Sequence, residues 1–356
     1  MYRIEALDLQ VVEDYADDIA KKLKPQIDAY LGGQVKILPV EGRNINITVC
    51  HGSLTEKVLS WLSDLNVLKN FLKLDVKGQY KFISDLKKDQ YPDDFIFKKL
   101  AKGTYQKHVQ GNPQFLDHFN EIIYDIFVTN GYDVLVDTTT FISNTHIEVC
   151  PYCGNDKVIE SRRSKNEIDH FLPKRKYPIL ALSYYNLIPS CHFCNTSDHK
   201  GQLSPIEEAK RGLFVWNPYL FKPAWVRFHL DIYHTDIFEP SNFSVVVGFK
   251  DKRLLDGYDR FFDICDRYAS NRQYAAEDYL RLMDFMADHY YEDMNVDQEW
   301  LKRAYRVVTG YTPTTNSPYL KERHRMRSDI FIQMNKLRRP GNYYVKGSGN
   351  NKVTLE

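Results

Sequence analysis

The sequence predicts an α+β protein: mainly helical regions on either side of a short core rich in Cys and His, with a small β-hairpin after that core. Three observations carry this reading. Apolar residues recur at helical spacing over residues 9–31, through most of 54–130 and again over 258–309. From His146 to about Tyr219 that periodicity stops, and Cys, His, Asn and Pro concentrate instead. Beyond it, Val226, Phe228, Leu230 and Ile232 occupy alternate positions, as do Phe243, Val245, Val247 and Phe249. These read as two paired strands joined through a loop containing Pro240.

In chain order, helix 9–31 carries Leu9, Val12, Tyr15, Ile19, Leu23 and Ile27 on one face and stops at Gly32-Gly33. Two strand-like runs follow, Val35–Val40 and Ile45–Val49. Leu59, Leu62, Leu65, Leu68, Phe71 and Leu72 share a helical face, and Phe115, Phe119, Ile122, Ile126 and Phe127 share another; stripes of this kind form core. A last helix over 317–338 is strongly basic, with Lys321, Arg323, Arg325, Arg327, Lys336, Arg338 and Arg339. It reads either as an arm that tracks a nucleic-acid backbone or as an exposed helix that contacts a partner. The tail from Gly341, with its Gly-Ser-Gly-Asn-Asn run, predicts disorder.

At about 150 residues per domain, 356 residues suggest two or three domains. Hydrophobic residues at 43% supply a core, and aromatics at 14% argue against global disorder. Lys plus Arg (48) nearly cancels Asp plus Glu (47), so binding of nucleic acid by bulk charge is excluded and any such affinity needs a local basic surface. No apolar run reaches the roughly 18 residues of a membrane span. The first residues lack a secretion signal, so a cytoplasmic, reducing location is expected. There the six Cys read as metal ligands or core residues rather than disulfides. No Gly-x-x-x-x-Gly-Lys-Ser/Thr loop is present, so ATP hydrolysis through that loop is not expected.

Cys150-Pro-Tyr-Cys153-Gly and Cys191-His-Phe-Cys194 form two C-x-x-C turns with 37 residues between Cys153 and Cys191. Each turn presents two thiolates to one ion, and two turns complete a tetrahedral zinc shell. A closed four-thiolate shell leaves no open position, so such a zinc supports structure and does no chemistry. Cys50 and Cys265 stand alone and read as buried residues.

Between and beside the turns lie Glu167-Ile168-Asp169-His170-Phe171-Leu172-Pro173-Lys174, Tyr185-Asn186-Leu187-Ile188-Pro189-Ser190 and Cys194-Asn195-Thr196-Ser197-Asp198-His199-Lys200-Gly201. This pattern resembles the zinc-supported HNH nucleases of the ββα-metal fold. Residues 148–201, about one seventh of the chain, carry the likeness, with gaps of sixteen residues from His170 to Asn186 and nine from Asn186 to Asn195. The resemblance makes His170 the general base, has Asn186 hold its ring, and puts a catalytic Mg²⁺ or Mn²⁺ on Asp169 and Asn195. Chemistry requires such types: a neutral imidazole to take a proton from water, and hard oxygen ligands for the ion. The family pattern has a Lys about four residues after its third position, whereas Lys200 is five after Asn195. His199 is therefore an alternative third ligand, and Asp198 a further candidate. Asn186 alone reads as a turn residue, and Asn195 alone as a helix cap. Lys174, Arg175, Lys176 and Lys200 lie in a basic run around the pair Asp169-His170 and are the expected phosphate contacts.

The resemblance implies a metal-dependent endonuclease acting on DNA. Phe214–Tyr219 and Phe262–Tyr268 are similar to segments after the HNH core of larger bacterial nucleases, many of them in anti-phage or restriction-like systems. These include Septu-type pairs, in which a separate ATPase subunit holds the nuclease. Alternatives are an inactive zinc-stabilised nucleic-acid-binding or scaffold subunit, and an RNA-directed nuclease. The expected layout is a helical region at 1–145 for targeting, regulation or docking, the nuclease core at 146–220, a hairpin and helices at 221–340, and a disordered tail at 341–356.

Overall fold

A computed structural model describes residue 4 and residues 9–40, 42–49, 51, 53–88, 118–158, 167–222, 225–232, 243–289, 303, 306, 326, 330, 333, 341–348 and 350–355. The fold is α+β: helices combined with four two-stranded sheets among the described residues. The chain divides into two compact units. A helical unit comprises Ala6–Thr145 and Ile168–Ile188; a cysteine unit comprises Met1–Glu5, His146–Glu167 and Pro189–Glu356. A boundary thus falls at residue 146 as the sequence suggests, but 146–220 is not one body. Its central stretch clusters with the N-terminal helices instead.

In the helical unit, α1 (Leu9–Leu31) buries Val12, Ala16, Ile19, Ala20, Leu23, Ile27 and Tyr30, one stripe at helical spacing. The hairpin of β1 (Lys36–Val40) and β2 (Arg43–Ile47) follows. The apolar stripe from Leu59 to Leu72 is split between α2 (Leu54–Leu62) and α3 (Leu65–Leu72). Asp64 makes the break: its carboxylate accepts from the backbone N–H groups of Asn66 and Val67 and so caps a new helix. Beyond α4 (Val76–Lys88), α5 (Phe119–Tyr124) runs into a π-helical stretch, Asp125–Tyr132. Phe119, Ile122, Ile126 and Phe127 are buried there, while Phe115 lies outside the described residues. A short turn (Asp133–Leu135) and α6 (Thr138–Thr145) complete this part. Gly131 is required in the π-helical stretch, because a Cβ there would meet Ile126 O at 2.7 Å and Leu182 Cδ1 at 2.9 Å.

β3 (Glu167–His170) and β4 (Leu187–Ser190) pair as a two-stranded sheet, and α7 (His192–Asn195) follows in sequence, giving the order β-β-α. The division between the units passes after Glu167 and before Pro189, within these two strands.

In the cysteine unit, α8 (Pro205–Ala209) precedes the expected hairpin of β5 (Val226–Ile232) and β6 (Phe243–Phe249). Their register sets Val226 opposite Phe249, Phe228 opposite Val247 and Leu230 opposite Val245, all buried. Helix α9 (Lys252–Phe262) starts six residues earlier than its periodicity suggests, capped by Asp251, and stops at Asp263 with φ +49°. α10 (Ile264–Ala269) and α11 (Arg272–His289) continue from it. Cys265 is buried and unpaired by a disulfide, as expected; Cys50 lies outside the described residues. Of the last basic helix, residues 326, 330 and 333 are described and helical, while its cationic residues lie outside the described ones. Met326 and Ile330 are buried, and the Gln333 amide brackets the Leu230 backbone at 2.9 and 3.0 Å.

The tail is ordered, contrary to the expectation of disorder. β7 (Gly341–Tyr343) pairs with β8 (Val353–Leu355), and Tyr344 exchanges two backbone hydrogen bonds with Phe249 at the edge of β6. The Gly-Ser-Gly-Asn-Asn run lies in the turn of this hairpin. Tyr343 and Leu355 are buried beside Gly248, whose missing side chain leaves the space they fill. Arg227 donates to Leu355 O at 3.0 Å. Gly248→Val fills that space and overpacks it, which costs about 1–3 kcal/mol. The expected readout is a lower thermal midpoint for the variant, with a loss similar to that caused by deleting residues 341–356.

Candidate functional site

Two constellations stand out, one in each unit. In the cysteine unit, the first C-x-x-C turn is closed by Gly154 N–H donating to Cys150 O at 2.7 Å, with Gly154 at φ +67°. Val149 and Lys157 bridge across its base. The second turn leads into α7, with Cys191 at the N-cap position. All four cysteines are buried and free of disulfides, and their sulfurs lie within 4.8 Å of one another. Cys153 and Cys191 sulfurs are 3.9 Å apart. Four sulfurs at the Zn–S length of about 2.3 Å stand roughly 3.8 Å from each other on a tetrahedron. The donor set therefore fits zinc.

The thiol electrostatics agree. Burial resists ionisation of Cys153, yet hydrogen bonds from Cys150, Cys191 and Cys194 and the charge of Arg267 pull its pKa well below the ordinary thiol value. Burial and its thiol neighbours push Cys194 up. Sulfurs packed this way share one negative charge among themselves, and a divalent cation is what lets all four ionise. Asp169 and His199 belong to no comparable group of three or more His, Cys, Asp or Glu ligands among the described residues.

In the helical unit, the end of β3 brings Asp169 and His170 into the interior, 3% and 6% exposed. The His170 ring is held by Ala181: its Nε2 lies 3.0 Å from the Ala181 carbonyl oxygen. A carbonyl only accepts, so Nε2 carries the proton and the lone pair is on Nδ1. Tyr132 packs edge-on to the ring, with centroids 4.4 Å apart. Burial, then the charges of Asp133 and Asp169, raise the Tyr132 pKa, so it stays a phenol. The carbonyl that orients the base is itself braced: Tyr15 on α1 donates to the neighbouring Leu182 O at 2.9 Å.

Asn186 does not hold the His170 ring, contrary to the expectation from the resemblance. Its Oδ1 accepts from Leu172 N–H at 2.7 Å, and its Nδ2 donates to Leu172 O at 3.1 Å and Leu180 O at 3.0 Å. Its backbone carbonyl accepts from Phe171 N–H at 2.9 Å. Asn186 thus fixes the two residues that follow His170. A side chain with one acceptor and two donors suits a loop that offers one N–H and two carbonyls.

Lys174 reaches Asp133 at 2.8 Å and lies over the Tyr132 ring at 4.6 Å. Arg175 is exposed and Lys176 half-buried. Lys200 is fully buried, which removes it from the expected basic surface. Asn195, His199 and Lys200 belong to the cysteine unit, and Asp169, His170, Asn186 and Lys174–Lys176 to the helical unit.

Glu167 organises the far end of α7. It takes His192 Nδ1 at 2.6 Å and Asn195 Nδ2 at 3.0 Å. Because a carboxylate only accepts, the Asn195 amide is turned with Nδ2 toward Glu167 and Oδ1 away from it. His199 Nδ1 lies 3.0 Å from Thr196 Oγ1 and its ring packs on Phe193. Burial, then the Arg267 charge, lower its pKa and favour neutral imidazole. Asp198 is exposed. Sequence reasoning missed Ala181, Tyr132 and Glu167. A backbone carbonyl leaves no signal in sequence and Tyr132 is remote, but Glu167 was legible as the first residue of the Glu-Ile-Asp-His run.

Comparison with known proteins agrees with this local geometry. Residues 150–201 match the family model of the HNH endonuclease. The chain carries an HNH endonuclease domain on a zinc-binding cysteine cluster. It is similar to Protein ea31 of Escherichia phage lambda, 26% identical over 207 residues, which cover 54% of this chain and 60% of that protein. It is also similar to Septu protein PtuB of Bacillus thuringiensis, 37% identical over 59 residues, 16% of this chain and 22% of that relative. The HNH match covers a small part of the chain, and the chain spans less than two thirds of either relative. No solved structure matches. Among the described residues, no helix is long and apolar enough to cross a membrane.

Two outcomes separate these supports. Cys150→Ser or Cys191→Ser lowers the zinc-to-protein ratio and the thermal midpoint together. Asn186→Ala leaves zinc bound but strands buried backbone groups of Leu172 and Leu180, at about 1–3 kcal/mol for each unsatisfied group. Metal analysis alongside thermal melts distinguishes the two patterns.

Proposed function

We propose that this protein is a metal-dependent endonuclease that hydrolyses phosphodiester bonds in DNA, with His170 as general base. The observation that carries the reading is the His170 ring. Its Nε2–H is committed to the Ala181 carbonyl at 3.0 Å, which leaves Nδ1 as the basic nitrogen. A neutral imidazole in that tautomer takes a proton from water as the water attacks phosphorus. Tyr132 restricts the ring's tilt, and Asn186 acts as a positioning residue by fixing the chain after His170.

The motif assigns Asp169 and Asn195 to a divalent ion, Mg²⁺ or Mn²⁺; once bound, it supplies Lewis-acid stabilisation of charge on the phosphate and the departing oxygen. The orientation of Asn195 Oδ1 suits an oxygen ligand, while His199 is the alternative third ligand. Zinc in the four-cysteine cluster supports structure. Arg175 and Lys176 are the proposed phosphate contacts, with Lys174 engaged by Asp133. From the likeness to Septu protein PtuB we place the chain in anti-phage defence in the cytoplasm, with a separate ATPase subunit supplying the phosphate-binding loop that its sequence lacks.

The test is cleavage of supercoiled plasmid by purified protein in EDTA, Mg²⁺ or Mn²⁺, with single-stranded DNA and RNA as competing substrates. Metal-dependent nicking is expected. His170→Ala lowers its rate by on the order of 10²–10⁴ while zinc content and thermal midpoint stay at wild-type values. Cleavage by His170→Ala at the wild-type rate sinks the assignment, and faster cleavage of RNA than of DNA replaces the substrate. Asp169→Ala or Asn195→Ala raises the metal concentration needed for half-maximal rate.

A further inference from the structure

The sulfur cluster has a cationic neighbour from far down the chain. Arg267, on α10, sends one guanidinium nitrogen to Cys194 Sγ at 3.4 Å and another to the Asp156 carboxylate. Its guanidinium carbon stacks over the Phe193 ring at 3.9 Å, and its side chain is only 9% exposed. Asp156 and Phe193 flank the first and second C-x-x-C turns respectively. Two further contacts arrive from the same stretch. Tyr268 OH donates to Cys153 O at 2.7 Å, and Asn271 Nδ2 donates to Asn155 Oδ1 at 2.6 Å. All of these residues belong to the cysteine unit.

A zinc ion with four thiolates is doubly negative, and a buried charge of that size is costly without a counter-charge. We propose that Arg267 is the charge partner of the zinc–thiolate centre: it donates to Cys194, withdraws electron density from that sulfur and slows zinc release. Asp156 and Phe193 hold the planar fork in place, a geometry that a lysine ammonium does not reproduce. It follows that residues 150–201 do not complete their own metal site, because the compensating charge lies in a helix beyond the hairpin. The proposal rests on zinc occupying the four-cysteine cluster.

The experiment uses the full chain loaded with zinc, and separately with Co²⁺ as a coloured substitute. Zinc release to a chelator is followed for wild type, Arg267→Met, Arg267→Lys and Tyr268→Phe. The last removes an equally close contact from the same helix without touching charge. Arg267→Met should lose about 10–100-fold in zinc affinity, the range for a group that supports metal ligands, with Arg267→Lys intermediate and Tyr268→Phe close to wild type. In the Co²⁺ protein, the sulfur-to-metal charge-transfer band should move to lower energy in both Arg267 variants and stay in place in Tyr268→Phe. Equal zinc release from Arg267→Met and Tyr268→Phe overturns the proposal, as does an unshifted band in Arg267→Lys, which decides the matter if Arg267→Met does not fold. Wild-type protein that binds no stoichiometric zinc overturns the zinc reading itself, a separate result.

Discussion

Four thiols gathered within 4.8 Å of one another are the constraint around which the cysteine unit is arranged. Left to themselves, buried thiols at that spacing repel one another's ionisation, so the cluster is stable only with a cation that takes all four sulfurs. The two turns that supply them are separated by 37 residues, and binding one ion pins both ends of that long insert. The same ion makes demands on its surroundings. A Gly at φ +67° closes the first turn, and Tyr268 and Asn271 brace it from helices more than a hundred residues downstream. Residues that look peripheral in sequence are therefore part of the metal site's support.

The stretch that the cysteines pin leads into different company. Residues 168–188 cluster with the N-terminal helices, and it is there that His170 gains its orientation. Each support has a specific cause. Gly131 allows the π-helical stretch to approach Leu182, Tyr15 fastens the Leu182 carbonyl, and the adjacent Ala181 carbonyl fixes the imidazole tautomer. A π-helical turn at such a place fits the general association of these irregular turns with functional sites. The first 145 residues thus have a structural task beyond targeting or docking: they build the wall against which the base is set.

Much of this was legible in sequence because it follows periodicity or ligand chemistry. The stripe of α1, the alternation of β5 and β6, and the two C-x-x-C turns each leave a pattern that local physics reads directly. What was not legible depends on partners distant in sequence. Asn186 was recognisable as a motif residue, yet its bonds go to the Leu172 and Leu180 backbone, whose polar groups are the same in every sequence. Asp64 interrupts a continuous leucine stripe because capping competes with propagation, and periodicity does not weigh the two. The tail looked disordered by composition, but its Gly and Asn residues form a turn, and Gly248 on β6 holds the space that Tyr343 and Leu355 require.

Charge gives the last step. Among the cations named around His170, Lys174 is engaged by Asp133 and the Tyr132 face, and Lys200 is buried; Arg175 is exposed and Lys176 half-buried. Each phosphate contact releases counterions and contributes affinity that falls with salt, so a surface with two such cations gains little from bulk attraction. The net charge of +1 adds little more. A nuclease built this way has its chemistry well supported and its grip on the polymer weak near the base. Productive encounter then depends on cations elsewhere, of which the seven in the last basic helix are the largest group in the sequence, or on a partner that delivers the substrate. Separating grip from chemistry keeps such an enzyme quiet until both are brought together, which suits an effector whose substrate is also present in its own cell.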